Sequence, residues 1–267
     1  MFDGLLLSLL SVSKVTSSLL NVYLCTGDFT GINKTYLPLR ETERAYLEGV
    51  IQKKNKESKV TLLDLTQLLR DELPAEKNLL SVYTPYALMR LFLDLLPEIP
   101  GRILYLDTDT IVLKDLEPFF KENLEGKDIG CVLDNLRIIF WKPGYVNSGV
   151  LLMDMDLIRH DGMNGYCRER VALKKMKRPD QDAINRIYRK KKKIKVFLRK
   201  YNEQRKTFPD TVIRHFTPEL KMWPFPHMVN IKSWQIEKVR CVYKLHEFDA
   251  LYTEMIALKR DYFLSLD

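Results

Sequence analysis

The chain has 267 residues, 46% hydrophobic and 29% charged, with a formal net charge of +8. Those figures describe a soluble globular protein with ample apolar material for a core, and they exclude disordered, fibrous and repeat architectures. Four cysteines, at 25, 131, 167 and 241, show no C-x-x-C spacing, so no zinc or redox motif is indicated, and no apolar run approaches transmembrane length.

Residues 3–18 place Leu5, Leu6, Leu9, Leu10 and Val12 near helical spacing. No basic residue precedes this leucine-rich run, so it reads as a helix and not as a leader peptide. A buried strand follows over 21–27, a charged helix over 40–54 and a second strand over 59–65. The stretch 84–97 is a helix, with Pro85 suited to its first turn and Pro97 as its stop. "GRILYLDTDTIV" (101–112) is a third strand. This rhythm predicts an α/β protein whose mixed, mainly parallel sheet is flanked by helices. Strands over 128–134 and 145–155 and helices over 163–177, 180–188 and 246–264 complete the chain. No Gly/Ser/Pro-rich linker interrupts it, which implies a single domain over 1–267. An open nucleotide-binding sheet normally starts with a strand, and here the first element is a helix.

Much of the positive charge lies between Arg168 and Lys206, including "YRKKKKIK" (188–195). Two readings stay open: a solvated helix end, or a surface attracting nucleotide phosphates or an anionic membrane. Nucleic acid is not expected, because no nucleic-acid motif accompanies the charge.

The chemistry centres on Asp107 and Asp109 in "ILYLDTDTIV". Side chains two apart on a strand share a face, so both carboxylates project from its carboxyl end, where α/β sheets bind ligands. A divalent cation would relieve their repulsion and hold a diphosphate. Two solvated turn aspartates are the plain alternative. A third reading is a haloacid-dehalogenase-like phosphatase with Asp107 as nucleophile, but the later acidic pair it needs has no clear candidate.

Further landmarks follow in order: "YVNSGVLLMDMDLIR", "RPDQDAIN" and "IRHFTPELKMWPF". Together with "ILYLDTDTIVLKDLEPFF" they resemble glycosyltransferase family 8, which includes glycogenin and bacterial lipopolysaccharide galactosyltransferases. The resemblance implies a GT-A-type nucleotide-diphospho-sugar transferase fold, with a nucleotide-binding half over roughly 1–113, an acceptor and metal-completing half over roughly 114–232, and a helical region over 233–267. It implies a UDP-sugar donor, UDP-glucose or UDP-galactose, bound with Mn²⁺ or Mg²⁺. The sugar would pass with retention to a hydroxyl of a surface glycan or lipid-linked precursor, in the cytoplasm or at the inner face of the membrane.

The match assigns Asp107, Asp109 and His215 to the metal. Arg90, Thr108 and Asn147 would hold the donor. Lys221 would meet the diphosphate in the pattern H-x-x-G-x-x-K-P-W, where Pro218 replaces the glycine and Met222 the proline. Asp180 would hold sugar hydroxyls, and Gln181 would stabilise an oxocarbenium-like state from the front face. Asp180 also suits a helix N-terminus. Asp134 is the acceptor-side candidate. Family members begin with a strand and a D-x-N-like turn that contact uracil and ribose. Either that strand lies upstream of Met1 or this is a truncated form; a truncated form would have an exposed gap in its sheet and weak UDP-sugar affinity, with a glycan- or partner-binding module as the alternative role.

Overall fold

The leucine-rich opening of the chain is helical, α1 (Phe2–Val15), and buried around most of its circumference, as a helix apolar on nearly every side must be. In this computed structural model, residues 1–73, 84–137, 143–223 and 225–266 are described. β1 (Asn21–Thr26) and β2 (Lys59–Asp64) pair in parallel through the crossover helix α2 (Glu41–Gln52). Glu43 starts α2 by accepting the Arg40 N–H at 2.8 Å. α3 (Thr66–Glu72) follows, and then Pro85–Leu95, wound as a 3-10 helix that buries Leu88, Met89, Leu91, Phe92 and Leu93.

The expected strand over 101–112 is two strands. β3 (Arg102–Leu106) ends just before Asp107, and β4 (Thr110–Val112) leaves in another sheet. The break is a turn: the Thr110 N–H and hydroxyl both donate to the Asp107 carbonyl, at 3.2 and 2.8 Å. Asp107 and Asp109 therefore converge through a turn and not across a strand face. α1 runs beside β4, where Ser11 Oγ accepts the Val112 N–H at 2.9 Å and Ser8 Oγ lies 3.3 Å from Thr110 Oγ1. Ser11 thus satisfies a β4 backbone donor that no described strand covers.

After α4 (Glu117–Phe120) come β5 (Ile129–Cys131), β6 (Val150–Asp154), α5 (Met155–Asp161), α6 (Met163–Leu173), α7 (Pro179–Lys190) and β7 (Ile194–Val196). The larger sheet has the order β3-β6-β5-β7. β6 is antiparallel to β3 and β5, while β7 is parallel to β5. The sheet is mixed, as expected, but parallel pairing is confined among the described strands to β1–β2 and β5–β7. Among the described residues between β5 and β6 there is no crossover helix of the length parallel pairing requires. The strand expected over 145–155 forms only over 150–154, because side chains take its earlier backbone groups: Asn185 Oδ1 accepts the Val146 N–H at 2.7 Å. The helix expected over 163–177 ends at Leu173, and α5 precedes it across Gly162 at φ +64°.

β8 (Ile213–His215) pairs antiparallel with β4, and β9 (Glu219–Lys221) with β10 (His227–Val229). α8 (Ile236–Val242) and α9 (Asp249–Leu264) close over α1, where Phe2 meets Tyr262 at 4.8 Å between ring centroids and Lys259 pairs with Asp3 at 2.7 Å. Among the described residues β1 and β3 do not pair with each other, and a gap lies between them. Among the described residues, no helix is long and apolar enough to cross a membrane. The basic segment is partly satisfied from within: Arg168 is buried against Asp94 at 2.7 Å, Lys193 lies 3.2 Å from Asp128, and Lys195 lies 2.9 Å from Glu125.

Candidate active site

The site forms where the turn after β3 meets the end of β8. Asp107, Asp109 and His215 each offer a ligand atom, and these atoms lie within 4.8 Å of one another. His215 Nε2 is 3.1 Å from Asp109 Oδ1 and 3.8 Å from Asp107 Oδ2. The pairing of β4 with β8 sets Thr110 opposite His215, so the register of two short strands brings the histidine to the D-x-D turn.

A hydrogen-bond chain orients that ring. Asn147 Oδ1 accepts from the Gly149 N–H at 3.0 Å and from Asn202 Nδ2 at 2.9 Å. Asn202 Oδ1 therefore faces His215 Nδ1, at 3.0 Å, and accepts its N–H. This leaves Nε2 aimed at two carboxylates, an arrangement that a shared cation, a proton or a metal ion, makes favourable. Asp109 Oδ1 is buried and accepts no well-formed hydrogen bond. The donor set of one neutral imidazole and two carboxylates fits Mn²⁺ or Mg²⁺, with Asp107, Asp109 and His215 as the holders. Gly149 is obligatory here: a Cβ on it would stand 2.1 Å from His215 Cε1 and 2.7 Å from Asp107 Oδ2.

Charge around the turn is closely balanced. Burial opposes ionisation of Asp109, but His215 and Lys232 outweigh it and hold the carboxyl well below the usual range. Lys232 Nζ lies 2.6 Å from Asp109 Oδ2. Burial likewise opposes the charge on Arg90, and Asp107, Tyr105 and Asp180 outweigh it. Arg90 donates to Asp107 Oδ1 at 2.8 Å and to the Ser148 carbonyl, and its Nε stands 3.3 Å from Asp180 Oδ2. Its guanidinium stacks over the Tyr105 ring, 4.6 Å from the centroid. Asp180 is pushed above its usual range by burial, and Arg90 offsets this only in part.

A second cluster adjoins the first. Pro179 opens α7, which puts Asp180 and Gln181 in its first turn, as an N-terminal Pro-Asp pair predicts. Asp180 Oδ2 accepts from Ser148 Oγ at 2.9 Å. Gln181 Nε2 donates to Asp134 Oδ2 at 3.0 Å, and Gln181 Oε1 accepts from the Ser148 N–H at 3.2 Å. Arg178 also reaches Asp134, at 3.3 Å. A cavity of about 1170 Å³ is lined by Arg90, Thr108, Asp109, Asp134, Gln181 and His215. Asp107, Asn147 and Asp180 line it too.

Of the residues predicted from the sequence, Lys221 alone stands apart. It sits in β9, paired with Glu219 at 3.3 Å and over the Tyr243 ring, outside the cavity lining. Lys232 is the lysine at the site, carried there by the chain beyond the β9–β10 hairpin. Its signal was in the sequence: "KSW" (232–234) repeats the lysine-x-tryptophan spacing of "KMW" (221–223). The Trp234 ring packs on Gly4, where a Cβ would approach it to 2.6 Å. Asn202 was also missed, because a lone asparagine in "KYNEQ" carries no local signal.

A mixed α/β fold whose D-x-D turn meets a distant histidine defines a GT-A-type glycosyltransferase, a class that uses a divalent metal and a nucleotide sugar. The family model for glycosyl transferase family 8 matches residues 2–225. The chain belongs to glycosyltransferase family 8, which sets aside the phosphatase reading of Asp107. No curated protein matches the chain. Among solved structures, it is similar to an active-site mutant of LgtC, at TM-score 0.64 and 17% identity over 94% of this chain and 96% of that one. It is also similar to mouse xyloside xylosyltransferase 1, at TM-score 0.56 and 19% identity over 79% and 90%. The bifunctional glycosyltransferase WbbM aligns at TM-score 0.54 and 12% identity over 76% of this chain, which spans 46% of that protein.

Proposed function

We propose that this chain transfers glucose or galactose from a UDP-sugar, with Mn²⁺ or Mg²⁺, to a hydroxyl of a surface glycan or a lipid-linked precursor. The carrying observation is the open Nε2 of His215 facing Asp107 and Asp109. The bound metal would neutralise charge developing on the departing diphosphate. Asp107, Asp109 and His215 hold it. Arg90, Thr108 and Asn147 grip the donor. Lys232, in the role the sequence pattern gave to Lys221, adds a cation beside the diphosphate. Asp180, braced by Ser148 and Arg90, holds sugar hydroxyls. Gln181 presents its amide to the sugar; an amide is a poor nucleophile, which favours front-face stabilisation and retention. Asp134, beside Gln181 and Arg178, borders the acceptor. Likeness to LgtC, described as a galactosyltransferase in complex with donor and acceptor sugar analogs, supports galactose as the first donor to try. The basic segment 168–206 is the surface for contact with an anionic membrane.

The test is UDP release across several UDP-sugars, with and without Mn²⁺. Release with one hexose donor, abolished by chelation and by Asp109→Asn, is expected; no release with any donor overturns the proposal. The gap between β1 and β3 favours one second reading, a glycan-binding module without turnover. Glycan binding that survives Asp109→Asn, with no UDP release, supports it.

A further inference from the structure

We infer that the β9–β10 hairpin is a membrane anchor whose tip, Met222, Trp223 and Phe225, enters the interface of an anionic bilayer. Trp223 is 86% exposed, Phe225 79% and Met222 66%. Among the described residues these are the two most exposed aromatic rings. Such rings gain by moving to the headgroup level of a bilayer, where tryptophan in particular collects. Below the tip stands a collar of basic side chains. The hairpin register sets Lys221 opposite His227. The Lys221 ammonium lies 5.3 Å from the Tyr243 ring, which brings the end of α8 and the exposed Lys244 next to β9. Residues 219–244 hold five Lys and Arg against two Glu. An apolar tip above a basic collar complements acyl chains beneath anionic headgroups.

The backbone of the tip suits lipid. In Trp-Pro-Phe-Pro (223–226) the two prolines carry no N–H. The Phe225 carbonyl accepts from His227 Nδ1 at 2.7 Å. Such a turn brings fewer unpaired polar groups to an apolar phase than an ordinary loop does. Other occupants fit less well. The two rings expose about 300–400 Å² together, against about 800 Å² on each side of a stable protein interface. A sugar needs polar side chains around an aromatic platform, and between Met222 and Pro226 only the Trp223 indole carries an N–H or O–H. A bilayer interface asks only for apolar bulk to a depth of about 5–10 Å, which the tip supplies.

Both arms of the hairpin begin at the cavity. Thr217 and Pro218 line it just before β9, and Lys232, paired with Asp109, lines it after β10. The chain from Pro218 to Trp223 spans at most ~17 Å when extended. An inserted tip therefore holds the cavity close to the bilayer surface, where a lipid-linked acceptor presents its sugar. That purpose rests on the proposed transfer to a lipid-linked precursor; the anchoring itself does not. The basic segment 168–206 offers charge attraction, which salt screens, whereas the hairpin offers apolar insertion, which salt does not weaken.

The test mixes the whole chain with phosphatidylcholine–phosphatidylserine vesicles. It follows co-sedimentation and the quenching of tryptophan fluorescence by brominated acyl chains. The chain is expected to bind, and the double variant Trp223→Ser/Phe225→Ser to bind about tenfold or more weakly. Trp223→Phe keeps an apolar ring at the tip, so it should still bind while most of the quenching is lost. Circular dichroism checks that each variant is folded. No binding by the whole chain, or undiminished quenching in Trp223→Phe, overturns the proposal. Equal binding by the double variant also overturns it and assigns the contact to the basic segment. A dimer mass in light scattering that the double variant loses assigns the tip to a second copy. A shift of Trp223 emission with a soluble oligosaccharide and none with vesicles assigns it to glycan. Either of these results overturns the proposal as well. No arm contains a sugar nucleotide, so the anchoring and the proposed transferase activity fail separately.

Discussion

The metal end of the site and the gap between β1 and β3 share one cavity, yet they are built to opposite standards. Around Asp107, Asp109 and His215 nearly every polar group is oriented by another: Asn147 orients Asn202, Asn202 orients His215, and Arg90 spans Asp107 and Asp180. Between β1 and β3, two rows of backbone groups have no protein partner among the described residues. The contrast separates two sources of order. Side-chain networks complete themselves within this chain, whereas a sheet interior needs a strand on both sides of each edge. A pre-oriented cation site can therefore stand at the border of an unfinished sheet.

The sharpest way to break the comparison is Asp109→Asn. It should lower Mn²⁺ affinity by more than about 100-fold in calorimetry, since loss of an outer partner alone costs about 10–100-fold. Asn202→Ala removes only the oxygen that fixes the His215 tautomer, and should fall within that range of about 10–100-fold while the circular dichroism spectrum is unchanged. In the core, Leu152→Ala on fully buried β6 should cost about 2–5 kcal/mol in urea unfolding. Leu104→Ala on partly exposed β3 should cost less than half as much, because water already reaches that side chain. Equal losses at Leu104 and Leu152 would show that the gap between β1 and β3 is closed in solution. The smallest effect is expected at Lys232→Ala. Its ammonium occupies Asp109 Oδ2, so its removal should strengthen Mn²⁺ binding a few-fold in the absence of nucleotide. Weaker metal binding in that variant would mean that Lys232 supports the site instead of competing within it.

Much of this was legible from local pattern. The Leu5–Val12 spacing, the Pro85 start and the Pro179–Asp180 pair each encode a helix or its first turn through short-range sterics and capping, and each is found. The order of the D-x-D, "VNSG", "PDQD" and "HFT" motifs marked the family and named residues that the fold gathers around one cavity. Tertiary structure alone decided the rest. Residues 101–112 read as one apolar strand, but the turn at Asp107–Asp109 sends β4 to β8, a partner about a hundred residues later in the chain. Lys221 and Lys232 carry the same lysine-x-tryptophan spacing, and the path beyond the β9–β10 hairpin chose between them. Asn202 acquired its role from where β8 sets His215. A sequence states which groups carry charge, hydrogen-bonding capacity and apolar bulk, because those belong to single residues. Which of them meet depends on chain closure over long separations, and so the lysine beside Asp109 and the orienting asparagine were settled only by the folded structure.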